Sequence, residues 1–249
     1  MPDDPQINPR THLEAIEAAL RELLSLEPRT KAPAPLPHQF VGTVVDNTIG
    51  LLIAPLNALD GGHRTITFSA THNWMSLMQG VHRSFFSSIH LAAEAGLVGL
   101  CKERQVPPRS RLQAAMLGAL ARIEAGAGHI PAAHRAIKDL RALLRTYRPG
   151  FDDHLEGVLS TVNLSEETKK TWRRFFRALS IVRNKTSHSD PTLTEDEQSR
   201  LRGGGFGVMV SQTGDLVANP RMYFQVAGFT LDFLDLVSHD AHVKNRSTG

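Results

Sequence analysis

Apolar residues recur at helical spacing along most of the chain, and the longest such pattern begins at Thr71. Its apolar positions fall every three or four residues over many turns, at Trp74, Leu77, Met78, Val81, Phe85, Ile89, Ala92 and Leu100. This spacing predicts a long amphipathic helix with one stripe against a core. A polar face of the same helix, away from the apolar stripe, contains Arg83, Ser87, His90 and Glu94.

Further helical segments follow, bounded by prolines, glycines or capping residues. They are predicted over about residues 107–128, 131–150, 152–162, 165–188 and 219–242. The segment that ends near His188 is opened by Ser165, whose hydroxyl can cap the first turn of a helix. The last segment is opened by Asn219 and Pro220, a typical helix start. Most of the chain is therefore predicted to be helical.

Residues 1–66 are predicted to form an N-terminal helical arm with a Pro-rich linker. Asn8 and Pro9 open an amphipathic helix that continues to Pro28. The stretch "EPRTKAPAPLPHQ" contains four prolines and no periodicity, which is typical of a stiff, extended linker. A short helix near residues 46–59 and a brief strand at "RTITF" are predicted to follow. Residues 67–249 would then form a separate helical bundle.

A small β-hairpin is predicted over residues 206–218, "FGVMVSQTGDLVA", where two β-prone runs flank a turn. The preceding glycines in "RLRGGGFG" lack the lysine and serine of a phosphate-binding loop, so they are interpreted as a turn. The predicted fold class is thus mainly α, a helical bundle with a β-hairpin insertion.

The composition of the chain indicates its cellular compartment more clearly than its function. The chain has 249 residues, 41% of them hydrophobic, and a single cysteine, Cys101, which excludes an internal disulfide. A net charge of +3 and a pI of about 9.2 permit binding to nucleic acid without requiring it. The first residues lack a secretory signal, and no apolar window is long enough to cross a bilayer. We expect a cytoplasmic protein that does not enter a membrane.

The helix predicted over residues 165–188 places a charge among apolar residues. At about 100° per residue, Arg183 falls in the same stripe as Trp172, Phe175, Phe176, Leu179 and Val182. A guanidinium buried there would need an anion, backbone carbonyls or a wet cleft. The opposite face carries Lys170, Arg173, Arg177 and Asn184, which we call the basic face. Between Lys169 and Lys185 the sequence has no acidic residue to neutralise it.

His188 lies five positions after Arg183, about 140° around a regular helix, so one straight helix does not bring the two side chains together. The helix could loosen in its last turn, because Pro191 disfavours helical geometry at Asp190. Alternatively, a second subunit could complete the site across a twofold axis. The sequence leaves both alternatives open.

The run from Arg183 and Asn184 to His188 matches the R-x4-6-H motif and resembles that of the HEPN superfamily. The resemblance implies an up-and-down helical bundle that dimerises around a shared cleft. Many members are metal-independent endoribonucleases of toxin, antiphage or RNA-processing systems. The tyrosine that follows the histidine by three positions in nucleotidylylated, antitoxin-paired members is replaced here by Pro191.

The resemblance also implies roles for individual residues. His188 would transfer protons, Arg183 would stabilise phosphate charge, and Asn184 would orient either group. The products would be a 2′,3′-cyclic phosphate and a 5′-hydroxyl, with no cofactor or metal. The RNA strand would be guided by Lys170, Arg173, Arg177 and Lys185. Supporting partners would be Glu94, as counter-ion, and Ser187.

Other interpretations remain open from the sequence. Arg183 could pair with a buried carboxylate such as Glu94 or Asp139, and the basic face could be solvated surface. A noncatalytic HEPN-like module that binds a partner protein or a nucleotide is then the alternative function. His239 and His242 supply at most two ligands, so no metal site is predicted. The expected partners are RNA, a second copy of the chain, and an antitoxin or other regulatory protein.

Overall fold

The computed structural model describes residues 9–60, 68–108, 110–126, 131–145, 147–188, 190–217 and 219–246. This part of the chain is mainly helical. It contains ten α-helices: α1 Pro9–Leu24, α2 Glu27–Thr30, α3 Leu36–Asp60, α4 Phe68–Glu103, α5 Arg111–Gly126, α6 Pro131–Arg145, α7 Phe151–Leu159, α8 Glu166–His188, α9 Glu195–Gly203 and α10 Arg221–Arg246.

The mainly helical prediction is confirmed. Helices α4 to α8 and α10 lie where the apolar spacing predicted helices, and α8 starts at the predicted cap, because the Ser165 hydroxyl accepts a hydrogen bond from the Thr168 amide at 3.1 Å. Helix α3 starts ten residues before the short helix predicted from residue 46. The strand predicted at "RTITF" lies mostly in residues 61–67, outside the described residues.

The β-hairpin predicted over residues 206–218 is not shown. The described part of the chain has no strand; this segment has a 3₁₀ turn, Gly207–Met209, and isolated bridges that pair Val210 with Leu216 and Thr192 with Asp215. Helix α9, which the sequence analysis did not predict, precedes it. A capping box holds its first turn, since the Thr194 and Glu197 side chains each accept a hydrogen bond from the other residue's amide.

The chain divides into two compact units, and the first consists of residues 1–96 and 164–249. Its core contains an aromatic contact between α8 and α10. The Phe233 ring lies 5.2 Å from Trp172 and 4.9 Å from Phe176, while Phe229 stacks on Phe175. These contacts fix the stripe of α8 that is buried and therefore the direction of its remaining side chains.

The N-terminal helices also belong to the first unit, where α1 packs against α3 and α10. The Arg29 guanidinium of α2 pairs with Asp232 at 2.9 Å and with Asp235 at 2.5 Å, both on α10. Burial acts to raise the pKa of Asp235, but hydrogen bonds from Arg29 and His38 outweigh it and hold that pKa below its usual value. The stretch predicted to be an extended linker, residues 27–39, instead contains α2 and the start of α3, so that prediction is wrong. The boundary predicted near residue 66 lies outside the described residues.

Gly204 allows α9 to end directly against α8. A Cβ atom at this position would lie 2.4 Å from the Ala178 Cβ atom and 2.8 Å from the Arg174 carbonyl oxygen. We expect Gly204→Ala to lower the free energy of unfolding by about 2 kcal/mol, because neither contact can yield without moving α8. Gly203→Ala is the matched control, since no atom lies within 4 Å of its added Cβ. Urea denaturation of both variants measures the difference, and equal midpoints would contradict this packing.

The second unit is residues 97–163. Its helices α5 and α6 share a small core of Leu120, Ile137 and Leu144. An ion pair of 2.5 Å between Arg141 and Glu124 joins the same two helices. Cys101 is buried and reduced, and burial raises the pKa of its thiol. The candidate chemistry of α8 therefore lies in the first unit.

One described segment, Met78–Glu103 of α4, is long and apolar enough to cross a membrane by length and composition. The buried share of its most apolar window is 56%. A core helix of a water-soluble protein passes the same test, so this segment is weak evidence for a membrane span.

Candidate functional site

The prediction that Arg183 lies in a buried stripe is wrong. Val182 is buried, but Arg183 is exposed. The aromatic rings of α10 contact α8 at Trp172 and Phe176, well before Arg183 in the helix. On either side of Arg183, Ser180 and Ser187 contact polar side chains of α4, which are described next.

Two polar stripes meet between α4 and α8, and we call this region the α4–α8 interface. The Ser87 and Ser187 hydroxyls lie 3.3 Å apart, and the Arg83 Nε atom donates to the Thr186 carbonyl oxygen at 3.1 Å. Residues three, four or seven apart share a helix face. The two stripes are Arg83, Ser87, His90 and Glu94 on α4, and Ser180, Arg183 and Ser187 on α8.

Arg183 lies between two of the contacts that join these helices. It is three residues after Ser180, which bonds to His90, and four residues before Ser187, which bonds to Ser87. Its Nη1 atom donates to the Asn184 side-chain oxygen at 2.9 Å. Arg183 therefore stands at the solvent edge of the α4–α8 interface, with one donor engaged by its neighbour. A permanently charged planar group in this position can bind an oxyanion.

His90 is the imidazole that this interface brings close to Arg183. It is 8% exposed, and its Nε2 atom lies 3.1 Å from the Ser180 hydroxyl. Burial lowers the pKa of His90, the positive charge of Arg183 lowers it further, and Glu94 opposes both. His90 is therefore neutral at neutral pH. Glu94 was predicted as the counter-ion of Arg183 but forms no ion pair with it in the described structure. Its negative charge instead acts to raise the pKa of His90.

His188 lies at the exposed end of α8. Hydrogen bonds from Thr192 hold the pKa of Asp190 below its usual value, and the charges of Lys185 and His188 add to that effect. Helix α8 continues through His188, so the loosened last turn suggested by Pro191 is not seen. Five residues of helix separate Arg183 and His188 by about 140°. Within one chain, the two side chains of the motif point in different directions.

Part of the basic face is neutralised by the first turn of α8. Lys170 pairs with Glu167 at 3.7 Å, and Arg173 pairs with Glu166 at 3.4 Å. Both carboxylates precede Lys169 and lie one or two turns before the cations with which they pair, so the stretch from Lys169 to Lys185 does not contain them. Arg177 is exposed and forms no ion pair among the described residues, so it is the member of this face best able to meet an RNA phosphate.

Lys185 holds the segment that follows α8. Its ammonium group donates to the Thr192 carbonyl oxygen at 2.6 Å and pairs with Glu197 at 3.2 Å. The side chain is 18% exposed. An ammonium group engaged in this way is a poor ligand for a mobile strand, because binding would break both contacts. Lys185 therefore has a structural role that the sequence analysis did not predict.

The described residues contain no cluster of three or more histidine, cysteine or carboxylate side chains that could hold a metal ion. The α4–α8 interface has a cationic edge beside hydroxyl groups and the His90 imidazole, and such groups can bind a phosphate and move protons. No family model, curated protein or solved structure matches this chain.

Proposed function

We propose that the protein is a metal-independent endoribonuclease of the HEPN type that acts in the cytoplasm as an effector of a toxin or antiphage system. The observation that carries this proposal is the exposed Arg183 guanidinium at the edge of the α4–α8 interface, beside Asn184 and on the helix that ends at His188. An antitoxin or other regulatory protein would restrain the activity.

In the proposed reaction, the RNA 2′-hydroxyl attacks the adjacent phosphorus. His188 takes the hydroxyl proton as the new P–O2′ bond forms. The protonated His188 imidazole then returns this proton to the 5′-oxygen as the P–O5′ bond breaks. Arg183 stabilises the charge on the nonbridging oxygens. The products are a 2′,3′-cyclic phosphate and a 5′-hydroxyl.

A homodimer is part of this proposal. Because Arg183 and His188 of one chain are about 140° apart on α8, a twofold axis would place the Arg183 of one subunit near the imidazole of the other. A site assembled in this way needs no distortion of α8 before Pro191.

The proposal is tested by incubating the purified protein with single-stranded and looped RNA in excess EDTA. Cleavage is expected to persist without divalent metal, and the 5′ fragments should carry 2′,3′-cyclic phosphate ends in mass spectra. An RNA with 2′-O-methyl groups throughout is the matched control and should remain intact. Cleavage of that RNA, or activity that disappears with EDTA, would contradict the mechanism.

A noncatalytic module that binds a partner protein or a nucleotide is the second candidate function. The ion pairs of Lys170, Arg173 and Lys185 favour it, because they reduce the charge available to guide an RNA strand. Under this alternative, the parent protein and its His188→Ala variant would both leave RNA intact while still binding the same ligand.

A further inference from the structure

Arg83 is a second guanidinium at the α4–α8 interface, and it lies outside the R-x4-6-H motif. It is exposed on α4, and its Nε atom donates to the Thr186 carbonyl oxygen in the last turn of α8. That bond draws the Arg83 side chain across to the helix that carries Arg183. Thr186 is three residues after Arg183, so the two positions are neighbours on α8.

The hydroxyl groups of Ser87 and Ser187 lie beside the same edge. Ser87 is four residues after Arg83 on α4, and Ser187 is four residues after Arg183 on α8. Their oxygens are 3.3 Å apart, a long distance for a hydrogen bond between hydroxyl groups. Either hydroxyl can therefore turn toward a stronger acceptor at little cost.

We propose that Arg83, Ser87, Arg183 and Ser187 form a binding site for one backbone phosphate of an RNA strand, with Arg83 as its second cationic ligand. This inference rests on the proposed function, because it assigns an RNA backbone phosphate to the Arg83 side of the proposed RNA-cleavage site. A phosphodiester has two nonbridging oxygens, which suits two guanidinium groups and flanking hydroxyl donors. The phosphate charge would also relieve the repulsion between the two arginines.

If the role of Arg83 is purely structural, Arg83→Gln is expected to bind RNA as tightly as the parent protein does. Arginine side chains stabilise the C-terminal turn of a helix by donating to its last carbonyl groups, as Arg83 does to Thr186. An Arg83→Gln side chain keeps an amide donor for that carbonyl but loses the positive charge. The substitution therefore separates capping of α8, which it can preserve, from attraction of a phosphate, which it removes.

The test is binding of a fluorescent 2′-O-methyl oligoribonucleotide, which has no free 2′-hydroxyl and stays uncleaved. Anisotropy titrations from 50 to 200 mM KCl are expected to give Arg83→Gln an affinity about 10-fold lower than the parent. The slope of log affinity against log salt should fall by about one unit. Arg200→Gln is the matched control, because Arg200 is exposed on α9 and its ion pair among the described residues is a local one, with Asp196. Its affinity and slope should equal those of the parent.

Arg83→Gln with the affinity and slope of the parent would overturn the inference, and so would a parent protein that does not bind the oligonucleotide. Cleavage of unmodified RNA is measured separately. If the parent does not cleave RNA but Arg83→Gln and Arg183→Gln both weaken binding, the phosphate site stands and the endoribonuclease proposal fails. If cleavage requires Arg183 but Arg83→Gln binds the oligonucleotide as the parent does, the endoribonuclease proposal stands and the phosphate site fails.

Discussion

RNA cleavage by the Arg183→Ala variant is expected to be about 10²- to 10³-fold slower than by the parent protein, the usual loss when one preorganised oxyanion donor is removed. The side chain is exposed, and its side-chain hydrogen bond within the described part of the chain is to the neighbouring Asn184, so its loss should leave the fold intact. Single-turnover rates with excess protein measure the chemical step, and circular dichroism checks folding. Arg200→Ala, on α9, is the matched control and should cleave at the parent rate.

Mixing two inactive variants tests where the Arg183 of one site finds its imidazole. If each site combines Arg183 of one subunit with His188 of the other, Arg183→Ala and His188→Ala chains refolded together should regain about a quarter of parental activity, because half of the dimers then hold one intact site. No recovery would place both groups in one chain and would direct attention to His90, which already lies near Arg183. Arg183→Ala at the parent rate would refute its catalytic role altogether.

Local signals were sufficient to predict most helices. The cap at Ser165 and the apolar spacing from Trp172 to Val182 define α8 without reference to other segments. Helix α9 had such a signal too, since Thr194 and Glu197 form a capping box that can be read directly from the sequence. The β-prone residues after Phe206 predict a hairpin, but in the structure their pairing is limited to isolated bridges.

The site was harder to predict because its environment comes from distant segments. An ideal helical wheel assumes one covering surface along all of α8, but α10 covers Trp172 and α4 faces Ser180. Arg183 is therefore exposed. In the same way, Lys185 donates a hydrogen bond to Thr192 and pairs with Glu197. Both residues belong to the segment that follows α8 and folds back against it. Helical spacing gave the polar face of α4, but not the residues of α8 that meet it.

Acid is expected to destabilise the protein through His82. This residue of α4 is 4% exposed and hydrogen bonds through Nδ1 to the hydroxyl of Tyr223, which is fully buried on α10 among Phe85 and Phe86. Burial lowers the pKa of His82 to about 4 and raises the pKa of Tyr223. In the unfolded chain His82 gains a proton near pH 6.5, whereas in the folded chain it does so only near pH 4.

The contribution of His82 is therefore fully present above about pH 6.5 and is lost as the pH falls to about 4, because the unfolded state binds the proton more readily. The full loss is about 3 kcal/mol. Urea denaturation between pH 7.5 and 4.5 should show most of this loss in the parent and in Tyr223→Phe, which keeps His82 buried. The paired variant His82→Phe with Tyr223→Phe removes the titrating group without leaving a buried hydroxyl unpaired. Its stability should fall less over the same range, and an equal fall in all three proteins would assign the acid sensitivity to other groups.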